Sequence, residues 1–453
     1  HGIGRFITKL KETVEQHAEG IPHSSNHYAE LDQLGFDYLN MYEDFVDYPG
    51  MGFYPGYQVT ERYHYTSSTY SQRLAETDKP MWCLEFQAGG QGLLHGPYGA
   101  IRMNAMLCLM NRTQMILGWT WRSMLAGEEQ YLCGLLGHDG LPTVNYREYA
   151  EIAAYMKKLQ DYAFPYLPVP DTAVAYSFDN ECVMQYGSRQ YHQTGRQNRV
   201  EVQKVFYDLN RDFNTISLTN RKHAYKLLIL PDYVMISEKE AEEIRRFVAE
   251  GGCVIMTAYS ATVDEHSQVF GTPRPGRLDD VFGIRVSGFD RTGAEWRDFD
   301  GDAKIVEDEK GKRELLKVKA EEEFYIDVEY YEELELHTAK AYAAFPDKGL
   351  CAVSENSYGK GKAYYIAAET NAVILKWLIR KLTPVLGLNE GMKVPEGIQA
   401  RKIAEGQKFY VNTTNRRISV SIEKPGRGVI SEKEYEDELI LEPYDAELLI
   451  ERK

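Results

Sequence analysis

The feature that most limits how this chain can fold is an alternation, over residues 1–166, of short apolar runs with longer amphipathic stretches. The runs Ile21–Asn26, Phe36–Tyr42, Met81–Phe86 and Met115–Trp121 read as strands. Arg5–His17, with Phe6, Ile7, Leu10 and Val14 on one side, and Tyr98–Met110 have helical spacing. Parallel strands need crossover connections, usually helices, so this alternation predicts βα units and a parallel sheet. A (β/α)8 barrel takes eight such units and about 250 residues. The four units legible here therefore predict a partial TIM barrel, about half of one, with raw edges.

Pro165, Pro168 and Pro170 interrupt helical continuation and mark a linker. Beyond it, Thr172–Phe178, Lys226–Pro231 and Gly252–Thr257 read as buried strands, with the amphipathic helix Ser237–Glu250 between the last two. Strand Lys362–Ala367 and helix Ala372–Leu382 close the pattern, which predicts a doubly wound, flavodoxin-like α/β domain over 167–388. The last stretch, 389–453, carries short strands such as Phe409–Val411, Ile418–Ile422 and Leu439–Leu441 without a long helix, and predicts a small antiparallel β-sandwich. The charged segment Glu307–Glu323 reads as a solvated hairpin or insertion.

Net charge is −16 with the acidic residues scattered, which argues against nucleic acid or an anionic membrane as partner and favours a neutral one. No apolar run approaches the ~18 residues of a membrane span and no signal-peptide pattern opens the chain, so a cytoplasmic location is the expectation. The cysteines at 83, 108, 133, 182, 253 and 351 are widely spaced with no Cys-x-x-Cys pair, predicting buried reduced thiols and no metal or cofactor. The 33 tyrosines are compatible with carbohydrate platforms, a weak hint alone.

Chemistry concentrates in Met81-Trp82-Cys83-Leu84-Glu85-Phe86-Gln87-Ala88-Gly89-Gly90, where an apolar strand carries one ionisable residue at its end, before a glycine pair. Strand ends of that kind form the catalytic rim of a barrel. A carboxylate there suits nucleophilic attack on an anomeric carbon, although an ion-paired structural glutamate fits the same pattern. The next strand ends in Trp119, Trp121 and Arg122. The two tryptophans alternate, so only one of them faces the mouth, and both could equally be packing residues. Arg122 with Glu129 could form an ordinary ion pair.

The stretch Trp121-Arg122-Ser123, Gly127-Glu128-Glu129-Gln130 and Gly137-His138-Asp139-Gly140 resembles the end of the catalytic barrel in glycoside hydrolase family 42. Met81–Gly90 is similar to that family's nucleophile strand, and Pro22-His23-Ser24-Ser25-Asn26 to its fifth strand. The resemblance implies the second half of the barrel (1–166, strands five to eight), a glutamine-amidotransferase-like trimerisation domain (167–388) and a C-terminal β domain (389–453). It implies a retaining β-galactosidase acting on β-D-galactosides or a related sugar such as an α-L-arabinopyranoside, and a homotrimer. Glu85 falls on the nucleophile, Glu129 on an acidic residue binding sugar hydroxyls, Trp119 on an aromatic wall, and Asn26 and Tyr42 on rim positions of the fifth and sixth strands.

Two departures alter the expected subsite: Leu132 stands where the family usually has histidine, and Leu93 where it has tryptophan. The acid/base, a Glu following Asn at the end of the fourth strand in the family, is expected to precede His1, in an N-terminal barrel half that would be a partner. Asn180-Glu181 and Asn389-Glu390 read as coincidences. Where amidotransferases carry their cysteine, this chain has Ala258-Tyr259-Ser260-Ala261, so the middle domain reads as a non-catalytic assembly module. The alternative to an enzyme is a carbohydrate-binding or assembly protein derived from the family.

Overall fold

The computed structural model describes residues 2–26, 37, 45–55, 78–90, 96–186, 195–291 and 314–452. The chain divides into two compact units. One comprises 1–170, 206–214 and 390–453; the other comprises 171–205 and 215–389.

In the first unit, four strands form one parallel sheet in sequential order: β1 (Ser24–Ser25), β2 (Tyr48–Phe53), β3 (Met81–Gln87) and β4 (Thr113–Trp119). Helices α1 (Gly2–Glu15), α2 (Ala100–Met110) and α3 (Val144–Leu159) accompany it. Helix α2 is apolar nearly all round and buried along its length, as a helix sandwiched between layers must be. Met103, Met106 and Met110 of α2 share one core with Met81, Cys83 and Phe86 of β3. Phe409, Val411 and Leu448 of the C-terminal strands belong to that same core. Those strands form a five-stranded sheet, 398–404, 407–412, 446–451, 426–428 and 434–435 in spatial order, beside the antiparallel pair Ile418–Ser421 and Glu438–Leu441. The two sheets share a core of Ile398, Tyr410, Val420, Leu439 and Leu449.

The expected strand Phe36–Tyr42 lies, apart from Asp37, outside the described residues, and the strand seated between β1 and β3 is Tyr48–Phe53. Pro49, Gly50 and Gly52 make that segment read as a turn. In the sheet Gly50 serves close approach: a Cβ there would sit 2.4 Å from the Ser25 carbonyl oxygen and 2.7 Å from Leu84 Cδ1.

In the second unit, Thr172–Ala175 (β5), Leu227–Leu230 (β7), Cys253–Thr257 (β8) and Gly361–Ile366 pair in parallel, and Asn214–Ile216 (β6) lies outside β5. In chain order that is the 2-1-3-4-5 arrangement of flavodoxin-like sheets. Strands 350–358, 340–345, 314–319 and 323–328 extend it antiparallel. The last two cover the described part of the charged segment and bury Leu316, Val318, Ile326 and Val328, so this hairpin has one core-facing side. Helix Glu238–Ala249 starts from a complete capping box, Ser237 with Glu240, and buries Ala241, Ile244, Phe247 and Val248.

Candidate active site

Strict alternation along β3 would put Met81, Cys83, Glu85 and Gln87 on one face. Met81 and Cys83 do face the helices, but the next side chain in that core is Phe86. The phase changes because β3 carries a bulge. Met51 pairs with Cys83 and the following Gly52 with Glu85, while on the other side the register slips between Cys83 and Phe86. Leu84 is the extra residue, and inserting it turns Glu85 away from the helix-facing set.

There Glu85 meets side chains from two neighbouring strand ends. Asn26, just after β1, donates from Nδ2 to Oε1 at 2.7 Å, and Tyr54, just after β2, donates from Oη to Oε2 at 2.9 Å. The two bonds reach different carboxylate oxygens, which orients the plane of the group. All three residues stand at the carboxyl ends of parallel strands, where ligand sites of α/β folds gather. Of the residues singled out in the sequence, the structure joins Glu85 and Asn26 directly. Tyr42 and Leu93 lie outside the described residues. Tyr54 was missed because the strand before it was not recognised, and Tyr54-Pro55 after that strand was the available signal.

Trp119 ends β4 and is 36% exposed, while Trp121 is more exposed and packs edge-on against Tyr146. The Trp119 carbonyl accepts the Ala88 amide at 3.0 Å, tying the two strand ends together. Glu129 lies in a short 3-10 turn, Glu128–Tyr131, and is exposed. That turn is anchored to the loop after Glu85: the Cys133 amide donates to the Gly90 carbonyl at 2.8 Å, and any Cβ on Gly89 would sit 2.2 Å from the Cys133 oxygen. Arg122 donates to the His138 carbonyl at 3.2 Å, and among the described residues it makes no ion pair with Glu129.

Behind the sheet, helix α3 braces the same loop. Glu148 accepts the Arg102 amide at 2.8 Å together with the Gly99 and Ile101 amides, satisfying the free N–H groups that start α2. Burial pushes its carboxyl above the usual range, and those bonds oppose the shift. Glu148, Asn104, Asn145 and Gln87 line a small recess beneath Gly89 and Gly90.

In the second unit, the position after β8 holds Tyr259 at φ 64°, its ring stacked on Tyr330 with centroids 3.7 Å apart and its amide donating to Glu332 Oε1. Cys253 begins β8, buried, with its thiol pushed up to about 12 by burial. Asn180 accepts the Met235 amide on its side-chain oxygen, and the Asn389 backbone amide donates to Asp171.

Residues 1–159 match a family model described as beta-galactosidase, and residues 170–389 one described as beta-galactosidase trimerisation domain. A β-galactosidase of Clostridium perfringens is 22% identical over 360 residues, 77% of this chain and 50% of that protein. One of Bacillus licheniformis is 22% identical over 362 residues, 78% of this chain and 51% of that protein. The chain thus spans about half the length of the curated relatives it matches. Among solved structures, a β-galactosidase from Bacillus circulans sp. alkalophilus superposes with a TM-score of 0.85 at 18% identity, covering 99% of this chain and 66% of that one. The β-galactosidase from Rahnella sp. gives 0.85 at 19% identity, covering 99% and 66%.

Proposed function

The chain belongs to glycoside hydrolase family 42, and from that premise we propose that it is the nucleophile-bearing part of a retaining exo-β-galactosidase, with Glu85 as nucleophile. The observation that carries this reading is the Glu85 carboxylate, turned out of the helix-facing row by the bulge at Leu84 and held by Asn26 and Tyr54. A retaining glycosidase needs a carboxylate in fixed orientation that attacks the anomeric carbon as an anion.

In the first displacement a Glu85 oxygen forms an ester bond to that carbon. The glycosidic bond breaks, and the leaving oxygen takes a proton from a second carboxylic acid. Water then attacks the same carbon, the ester bond breaks, and the second group, now the base, takes the water's proton. That group must stand about 5–5.5 Å from Glu85. We assign it to a further set of βα units that would complete the barrel. Support for such units comes from β1 and β4, which end the sheet among the described residues, and from the exposed apolar face of α1, Ile3, Phe6, Leu10 and Val14. Glu129 and Trp119, on the loop and strand tied to the Glu85 loop, are assigned to sugar hydroxyls and to a ring platform. The second unit is assigned to trimer assembly, and the organisation 1–166, 167–388 and 389–453 is our domain reading.

Hydrolysis of p-nitrophenyl β-D-galactopyranoside and α-L-arabinopyranoside tests the substrate class. Turnover of either with retention of configuration is expected. Inversion at the anomeric carbon refutes the mechanism, and binding of either sugar without turnover favours a carbohydrate-binding role.

A further inference from the structure

The bulge that re-aims Glu85 leaves a gap in the β3–β4 ladder between the pairs Cys83–Ile116 and Phe86–Gly118. Inside that gap the Glu85 carbonyl faces the Cys83 thiol, with Sγ 3.4 Å away. Immediately after it, where the ladder resumes with Phe86–Gly118 and Gln87–Trp119, helix α3 supplies a further donor that holds the bulge from the helix side. The Tyr149 hydroxyl donates to the Gln87 carbonyl at 2.8 Å and lies 3.1 Å from the Phe86 carbonyl, so one proton is shared between the carbonyls of the two residues that follow Glu85. The Tyr149 ring reaches them across Gly118, where any Cβ would sit 2.7 Å from its Cε1 atom, and packs obliquely on Phe86 with centroids 6.3 Å apart. Burial pushes the phenol pKa up, which keeps the proton on the oxygen.

From this geometry we infer that Tyr149 is a positioning residue for the nucleophile. It acts from the helix side of the sheet, locking the backbone after Glu85 so that the bulge holds one orientation of the carboxylate. The inference rests on Glu85 being the nucleophile. Gly118 is the complementary half of the device, since only a residue without a side chain lets the ring lie across the strand.

Tyr149→Phe removes the donor and keeps the ring. In the full-length protein, a misplacement of about 1 Å is enough to cost on the order of 100-fold in rate. The variant is therefore expected to lose about 10- to 100-fold in the limiting rate of Glu85 modification by 2-deoxy-2-fluoro-β-D-galactosyl fluoride. The half-saturating concentration should stay within about twofold, because the sugar-binding groups are untouched. Amide exchange in the peptide spanning residues 83–90 should accelerate while the melting temperature shifts by only a few degrees. An unchanged limiting rate, whether or not exchange accelerates, overturns the positioning role. If the wild-type protein forms no adduct, the nucleophile assignment fails instead. Crystal structures of both forms then decide the positioning claim. A Glu85 carboxylate displaced by more than about 0.5 Å in the variant supports it, and an unmoved carboxylate overturns it.

Discussion

Glu85, Asn26 and Tyr54 come from three strand ends and converge on one carboxylate. Replacing Glu85 by Gln keeps volume and removes the attacking anion. Turnover of an aryl β-galactoside is expected to fall by at least ~1000-fold with sugar binding retained by calorimetry; unchanged turnover contradicts the assignment. Tyr54→Phe and Asn26→Ala each remove one orienting donor. Both are expected to lower kcat about 10-fold or more with KM altered far less, because a net hydrogen bond to a charged group is worth roughly 1.5–3 kcal/mol. Glu85 was legible as a lone carboxylate closing an apolar strand, a pattern that also fits a structural glutamate, and Asn26 only through the resemblance of Pro22–Asn26 to the family's fifth strand. Tyr54 was not, since its strand contains Pro49, Gly50 and Gly52, residues that locally signal a turn.

The strand β2 shows why local propensity failed: its Gly50 meets the neighbouring backbone, a tertiary demand invisible in a window of sequence. Gly50→Ala puts a methyl against the Ser25 carbonyl oxygen and Leu84, and is expected to destabilise the protein by about 1–3 kcal/mol in denaturant unfolding. Strands β3 and β4 and helix α2 were readable because they are long and mostly apolar. The bulge at Leu84 was not, because period-2 reading assigns Glu85 to the same face as Met81 and Cys83. In the second unit, the α/β class followed from strand–helix alternation, whereas the strand order and the chemistry need coordinates. Asp232, after β7, is fully buried, with Oδ1 accepting from Thr257 and Thr370, and burial raises its carboxyl from 3.8 to about 7. The folded state thus binds this proton more tightly than the unfolded chain. The stabilisation is fully present below pH 3.8 and is lost as pH rises to about 7, at a slope of up to roughly 1.4 kcal/mol per pH unit. Urea unfolding at intervals from pH 4 to 8 should show that decline, and Asp232→Asn should reduce it. An equal decline in the variant would assign the effect to other buried carboxyls such as Glu148 and Glu447, which are also raised by burial.

At the scale of the molecule, the C-terminal strands and helices α2 and α3 share one core, so the β domain buttresses the sheet that carries Glu85. Tyr155 donates to Asp445, and Lys158 to the Ile430 carbonyl, across that junction. The second unit should set the oligomer: sedimentation of the protein is expected to give three times the chain mass, and a monomer at micromolar concentration contradicts assembly through this domain. The central claim is that Glu85 attacks the sugar. Its most direct test is peptide mapping by mass spectrometry after incubation with 2-deoxy-2-fluoro-β-D-galactosyl fluoride, whose fluoride leaves without help from a general acid, so the first displacement is read alone. A single sugar increment on the peptide containing Glu85, absent in Glu85→Gln, is the expected result; an increment on any other carboxylate, or none, contradicts it.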